Sequence, residues 1–309
     1  MAKIAVMGAG GVGGYFGARL ADAGNDVAFV ARGAHRKAME KNGLRVQSQL
    51  GDIHLNNVTV AESTADLVPV DYIIFAVKMV DTQVAAAACK ELLGPETTLI
   101  TFQNGIQSAS QVGAVVGMDH VVPGAAYIAS VISEPGVIKH TGKAAKIVFG
   151  EINGGTSNRL QRIHELCEAA GIHHEISANV NKAIWSKFAL LAPFAGLSTL
   201  TRQRAHELRS NSDTLSLFTA AAQEIIDLSK AMSTGLDDSD LDQVLGNFHK
   251  MPEDMTSSMY HDLMAGKPLE LNGLSGAVAE LGRQHNVPTP THTFIAKALS
   301  GYATGTDGR

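Results

Sequence analysis

The 309-residue sequence predicts an α/β protein in two parts: a Rossmann-type, doubly wound parallel sheet over 1–178, followed by an all-helical domain over 179–309. Three observations predict it. An apolar strand at 4–7 runs straight into Gly8-x-Gly10-x-x-Gly13; strand-like and helix-like segments then alternate through the first half; and from Val180 helical periodicity continues to the end. The length suits two domains better than one.

Taken in order, the first strand leads into an amphipathic segment at 11–23, with Val12, Phe16 and Leu20 at helical spacing, which stops at Gly24. The run 27–31 is continuously apolar, as a parallel strand buried on both faces must be. A helix is expected at 34–42. Two β-like pieces, 44–49 and 53–60, flank Leu50-Gly51-Asp52 and predict an inserted hairpin. Strands at 72–77, 99–102 and 120–129 alternate with helices at 81–93 and 108–116. The pieces 137–140 and 146–150 flank Gly142-Lys143 and predict a second hairpin. A helix at 158–170, closed by Gly171, and a strand at 173–176 complete the first domain, with the boundary near 177–179. Helices near 180–199, 213–233, 238–249, 252–264, 274–286 and 291–301 make up the second, and the tail 305–309 reads as disordered.

Composition narrows the class. A hydrophobic fraction of 45% and a charged fraction of 18% are those of an ordinary globular enzyme, and no apolar stretch reads as long enough to cross a bilayer. The first strand has one early Lys and runs directly into the glycine turn, so it does not read as a signal peptide, and a cytoplasmic protein is expected. A net charge of −5 gives no reason to expect nucleic acid. Cys89 and Cys167 lack CxxC spacing and read as reduced thiols. None of the 12 histidines is arranged as HExxH or beside Cys ligands, and the adjacent pair His173-His174 would point in different directions on a strand, so no metal is expected.

The glycine motif carries the first chemistry. Gly8 permits a tight turn, Gly10 lets a pyrophosphate approach bare backbone, and Gly13 lets the helix pack closely on the strand while its N-terminal amides face the anion. The second strand ends at Arg32, 19 residues past Gly13, where an NAD enzyme would carry an acid for the ribose hydroxyl. Arg36 and Lys37 follow, while Asp26 lies too early for the NAD role, so NADP is the expected cofactor. Strand ends also place Lys78 and Gln103-Asn104-Gly105 where ligands bind in open α/β sheets, although Asn-Gly is equally a favoured turn pair. In the helical half, Lys187 shares a face with Ile184, Leu190 and Leu191, which fits either an ammonium reaching solvent or one held in a cleft. Glu270 lies in Gly266-Lys-Pro-Leu-Glu-Leu-Asn-Gly273, preceded by a helix on which Ser258 and Asp262 are stacked at i,i+4.

Together these residues resemble the ketopantoate reductase family, the NADPH-dependent 2-dehydropantoate 2-reductases. The resemblance runs through Gly8-x-Gly10-x-x-Gly13, Ala31-Arg32-Gly33 with Gly43-Leu44, Ala76-Val77-Lys78, Gln103-Asn104-Gly105, Ile184-Trp185-x-Lys187, Ser257-Ser258-Met259, and Glu270 with Gly276 and Val287-Pro288-Thr289-Pro290. It implies that Lys187 is the catalytic lysine and Glu270 an acid assisting it, that Asn104 and Ser258 hold substrate, and that Arg32, Lys78 and Asn104 contact the cofactor. The chemistry suits these types. Hydride delivery to a ketone makes an alkoxide, which an ammonium can stabilise and protonate. Glu270 would either orient that lysine or contact the product hydroxyl.

One departure stands out. Better-known members carry asparagines four and eight residues after the lysine, where this chain has Leu191 and Ala195, so the pocket wall reads as more apolar. The resemblance therefore implies NADPH-dependent reduction of ketopantoate to pantoate, with two alternatives: the same reaction on another branched or aromatic 2-oxo acid, or an NADP-binding regulatory protein without turnover. The expected partner is a small 2-oxo acid, with no membrane; a homodimer through the helical domain is compatible with the sequence, though no exposed apolar stripe identifies it.

Overall fold

The computed structural model describes residues 1–305. The tail expected to be disordered lies outside the described residues from 306 onward. The chain forms two compact units: Met1–Gln103 with Gln107–Val180, and Asn104–Ile106 with the chain from Asn181 onward.

The first unit contains β1 (Lys3–Met7), α1 (Gly11–Asp22), β2 (Asp26–Val30), α2 (Gly33–Asn42), β3 (Leu44–Gln47), β4 (Ile53–Leu55), β5 (Thr59–Ala61), β6 (Val70–Phe75), α3 (Thr82–Cys89), β7 (Leu93–Thr101), α4 (Ser108–Val116), β8 (Val121–Glu134), β9 (Val137–Phe149), α5 (Asn158–Ala169) and β10 (His173–Ile176). Strands β5-β2-β1-β6-β7-β8 lie side by side and parallel. That is the doubly wound order, with β5 as its third strand and the switch point between β1 and β6. Beyond β8 the sheet turns antiparallel at β9, which in turn carries β3 and β10 in parallel. The apolar central strands explain the burial: Ile4, Ala5, Val6, Ile73, Phe75, Leu99 and Ile100 are all buried under helices on both faces.

Two expectations are corrected. The stretch 53–60 is two strands: β4 closes the expected hairpin on β3, and after Asn56-Asn57 the chain crosses the sheet so that β5 pairs with β2. Tandem asparagines favour a turn over a continued ladder. Secondly, 137–140 and 146–150 do not form a hairpin with each other. Both belong to β9, which pairs with β8 around Pro135-Gly136, with Gly136 at φ +82°. Thr141 faces Ala129 and Ala145 faces Ile128, so 142–144 bulge out, with Gly142 at φ +80°. The outer part of β8, 130–134, escaped the apolar pattern because most of it is exposed.

The helical unit comprises α6 (Val180–Thr201), α7 (Ala205–Ser210), α8 (Ser212–Ala231), α9 (Asp240–His249), α10 (Ser258–Met264), α11 (Ser275–Gln284) and α12 (Pro290–Leu299). The short α7 has too few residues to display a period, and α10 is shorter than the expected 252–264 because Ser257 caps it, its hydroxyl accepting from the Tyr260 amide at 3.1 Å. At the heart of the unit, the Phe218 and Phe248 rings stack at 3.8 Å. The buried Glu224 carboxylate accepts from the Thr291 and His292 amides at 2.7 and 3.0 Å, supplying negative charge to the N-terminus of α12. By length and composition α6 does qualify as a candidate span, with a mean hydropathy of 1.3, contrary to the sequence expectation; most of that stretch, 61%, is buried inside the protein as a core helix would be. Both cysteines are free and buried, and burial pushes their thiols up to about 12, leaving them unreactive.

Candidate active site

In the sheet-bearing unit, the glycines behave as their positions demand. Gly8 has φ +94°, and a β-carbon there would lie 2.9 Å from the Val77 amide nitrogen. At Gly13 a β-carbon would sit 2.2 Å from the Gly8 carbonyl oxygen, so α1 lies closer to the loop than any side chain would permit. Gly10 is different: nothing lies within 4 Å of its β-carbon position. It caps α1, whose first turn contains no acidic residue and receives no side-chain cap, leaving amide donors for an anion. A cleft of about 250 Å³ opens at this point, lined by Gly8, Gly10, Ala31, Arg32, Val77 and Lys78 among others. Bare backbone, open space and two cations at strand ends fit a dinucleotide.

Arg32 is exposed at the cap of α2 and lines that cleft. Arg36 does not join it, because its guanidinium is paired with Glu40 at 2.7 Å and Glu62 at 3.3 Å. Two further residues position the cleft: His35, which no spacing in the sequence singles out, and Gln103, which the sequence marks only as part of Gln103-Asn104-Gly105. The His35 ring accepts at Nδ1 from the Gly136 amide (3.0 Å), and Nε2 donates to the Ala9 carbonyl (2.9 Å), tying the glycine loop to the β8–β9 turn. Burial lowers its pKa, in keeping with the neutral tautomer this pattern requires. Buried Gln103 donates to the Val77 carbonyl (3.0 Å) and to Thr82 Oγ1 (2.8 Å), and accepts from Ser108 (2.6 Å), fixing the loop that carries Lys78.

In the helical unit, Lys187 Nζ donates to Asn104 Oδ1 at 2.9 Å. The residue as a whole is half-buried, while its ammonium is enclosed by protein atoms. That burial pulls its pKa from 10.5 down to about 8, against the opposing pull of the Glu270 carboxylate. Three of the expected residues are thus gathered. Ser258 is exposed at the start of α10, and its hydroxyl has no hydrogen bond among the described residues. Its neighbour Ser257 is the buried one, held to Ser198 Oγ at 2.8 Å. Of the two departures on α6, Leu191 is half-buried, whereas Ala195 is 1% exposed and packs within the unit.

The family described as "Ketopantoate reductase PanE/ApbA" matches residues 4–154, and its C-terminal counterpart matches 179–303. The chain belongs to the ketopantoate reductase family. Members of this family are oxidoreductases that act on 2-oxo acids with a nicotinamide dinucleotide. The 2-dehydropantoate 2-reductase of Mesorhizobium japonicum is 29% identical over 94% of this chain and 94% of its own length. The crystal structure of 2-dehydropantoate 2-reductase from Geobacter metallireducens superposes with a TM-score of 0.90 at 26% identity, covering 97% of this chain and 99% of that one. The fold is shared more widely: D-mandelate dehydrogenase, in its ternary structure with NADH and anilino(oxo)acetate, gives a TM-score of 0.89 at 20% identity, with coverage of 97% and 98%.

Proposed function

We propose that this ketopantoate reductase family member reduces ketopantoate to pantoate with NADPH, using Lys187 as the general acid. The carrying observation is the enclosed Lys187 ammonium, hydrogen-bonded to Asn104 and facing Glu270. A nicotinamide dinucleotide bound along Gly8, Gly10, Arg32 and Lys78 supplies the hydride. The oxygen of the reduced carbonyl gains negative charge, and Lys187 stabilises it and passes it a proton. With a pKa of about 8, the group holds its proton at neutral pH yet releases it more readily than an exposed lysine. Asn104 fixes the ammonium's direction through its amide oxygen, and Glu270 keeps the charged form favourable in a desolvated setting. Asn104 and Ser258 are proposed to bind the substrate carboxylate; the exposed Ser258 hydroxyl is available for that.

Arg32 supports the choice of NADPH, since its guanidinium can form a charge-assisted bond to a 2′-phosphate. Arg32→Ala is expected to weaken NADPH binding about tenfold to a hundredfold and leave NADH nearly unchanged. Equal use of NADH and NADPH by the wild type would overturn the assignment.

Leu191 favours a second reading, in which the preferred substrate is a branched or aromatic 2-oxo acid without the ketopantoate hydroxyl. A wall that cannot hydrogen-bond a hydroxyl separates such substrates by only about 1–3 kcal/mol. Steady-state NADPH oxidation therefore decides between them: kcat/KM for 2-oxoisovalerate is expected within about a hundredfold of ketopantoate, or above it. A preference for ketopantoate of about 10⁴ or more would mean that other groups read its hydroxyl.

A further inference from the structure

Far along the chain from the glycine loop, α5 and β10 bring together three side chains that the reaction does not use. His164 and Glu168 lie one helical turn apart on α5, and His174 projects from β10 beneath them. One ligand atom from each lies within 4.8 Å of the other two. The adjacent histidines do diverge as expected, His173 being exposed and His174 turning inward with 4% of its side chain accessible. What the sequence spacing concealed is that α5 and β10 are neighbours in the fold.

His174 is oriented as a metal ligand is. Its Nδ1 donates to the Ile172 carbonyl at 2.8 Å, which leaves a lone pair on Nε2. Its ring stacks on Phe149, with centroids 6.0 Å apart and planes 12° from parallel, so its direction is set by packing. His164 Nδ1 donates a hydrogen bond to that nitrogen at 2.7 Å, which a metal ion would replace, and a Glu168 oxygen lies 3.9 Å from it. Tetrahedral zinc with bonds of about 2.0–2.1 Å sets neighbouring donors about 3.3 Å apart. On binding, one separation would therefore open, and the other close, by about 0.6 Å each, with His164 and the exposed Glu168 moving about the packed His174 ring. His164 would shift its proton to Nε2 to present Nδ1.

We propose that His164, Glu168 and His174 bind a divalent transition metal of the zinc class, through two imidazole nitrogens and one carboxylate oxygen, and so tie α5 to the edge strand β10. Glu168 stands 66% exposed, so the ion enters from solvent and a water completes its coordination. The ion is a structural tie and takes no part in hydride transfer.

The test uses tag-free, metal-stripped full-length protein titrated with ZnCl2 by calorimetry and with CoCl2 by visible absorption. One equivalent should bind with a micromolar or tighter Kd, give tetrahedral Co²⁺ bands, and raise Tm in a way EDTA reverses. His174→Ala should weaken binding about a hundredfold and Glu168→Gln about tenfold, while His173→Ala leaves it unchanged. Should His174→Ala not fold, the exposed Glu168→Gln and His173→Ala pair carries the comparison. Absence of saturable binding, or equal affinity across the wild type, Glu168→Gln and His173→Ala, overturns the proposal.

Discussion

Lys187→Ala is expected to lower kcat by a factor on the order of 10²–10⁴ while dinucleotide affinity stays near wild type, because the ammonium is the one group proposed both to stabilise the developing alkoxide and to protonate it. Glu270→Ala should be damaging as well, and the double variant less than additive, since removing either residue disables the same unit. The pH dependence follows in sign from the shifted lysine. With a pKa near 8 the acid is charged below that value, so kcat/KM for reduction should be flat at neutral pH and fall about tenfold per unit above it, with the reverse oxidation favoured where reduction fades. Over the same window, from about 8 to the ordinary 10.5, the native protein binds fewer protons than the unfolded chain, so this group's contribution to stability rises with pH while activity is lost. Full turnover by Lys187→Ala would reduce the residue to a packed amphipath.

The second large effect separates two glycines that a motif treats alike. Gly13→Ala places a methyl 2.2 Å from the Gly8 carbonyl oxygen, and backbone cannot yield there cheaply. It should destabilise the protein by about 1–3 kcal/mol and weaken dinucleotide binding by about a hundredfold or more, because the loop must move to relieve the contact. Gly10→Ala meets nothing within 4 Å and should fold with unchanged stability, yet it puts a methyl on the lip of the cleft and should also impair dinucleotide binding. Calorimetric Tm and fluorescence titration with NADPH measure the two properties independently. A stable Gly13→Ala protein with normal affinity would break the geometric argument.

Why some of this was legible and some not has a physical basis. The parallel strands announce themselves because burial on both faces demands unbroken apolar runs, as at 27–31 and 99–102. Where burial is one-sided the signal weakens: the outer half of β8 and the bulge at Gly142 were misread because pairing there depends on a partner strand, not on local composition. At the site, Lys187 and Glu270 came from a motif resemblance, and only coordinates bring Asn104 to the ammonium at 2.9 Å across 83 residues of sequence. His35 and Gln103 were missed as positioning residues for a related reason: His35 bonds to a backbone carbonyl and a backbone amide, and Gln103 to the Val77 carbonyl and to the Thr82 and Ser108 hydroxyls, partners that no spacing in the sequence records.

Asn104 has a wider consequence. It and the next two residues group with the helical unit although β7 before them and α4 after them belong to the sheet, so the chain passes between units three times. A fragment beginning at 179 would therefore carry Lys187 without the amide that directs it. Recombining halves from two family members at that single junction would pair one parent's lysine with the other's asparagine. The unit of inheritance for this chemistry is a non-contiguous set, and a chimera that preserves it must exchange the three-residue excursion together with the helices.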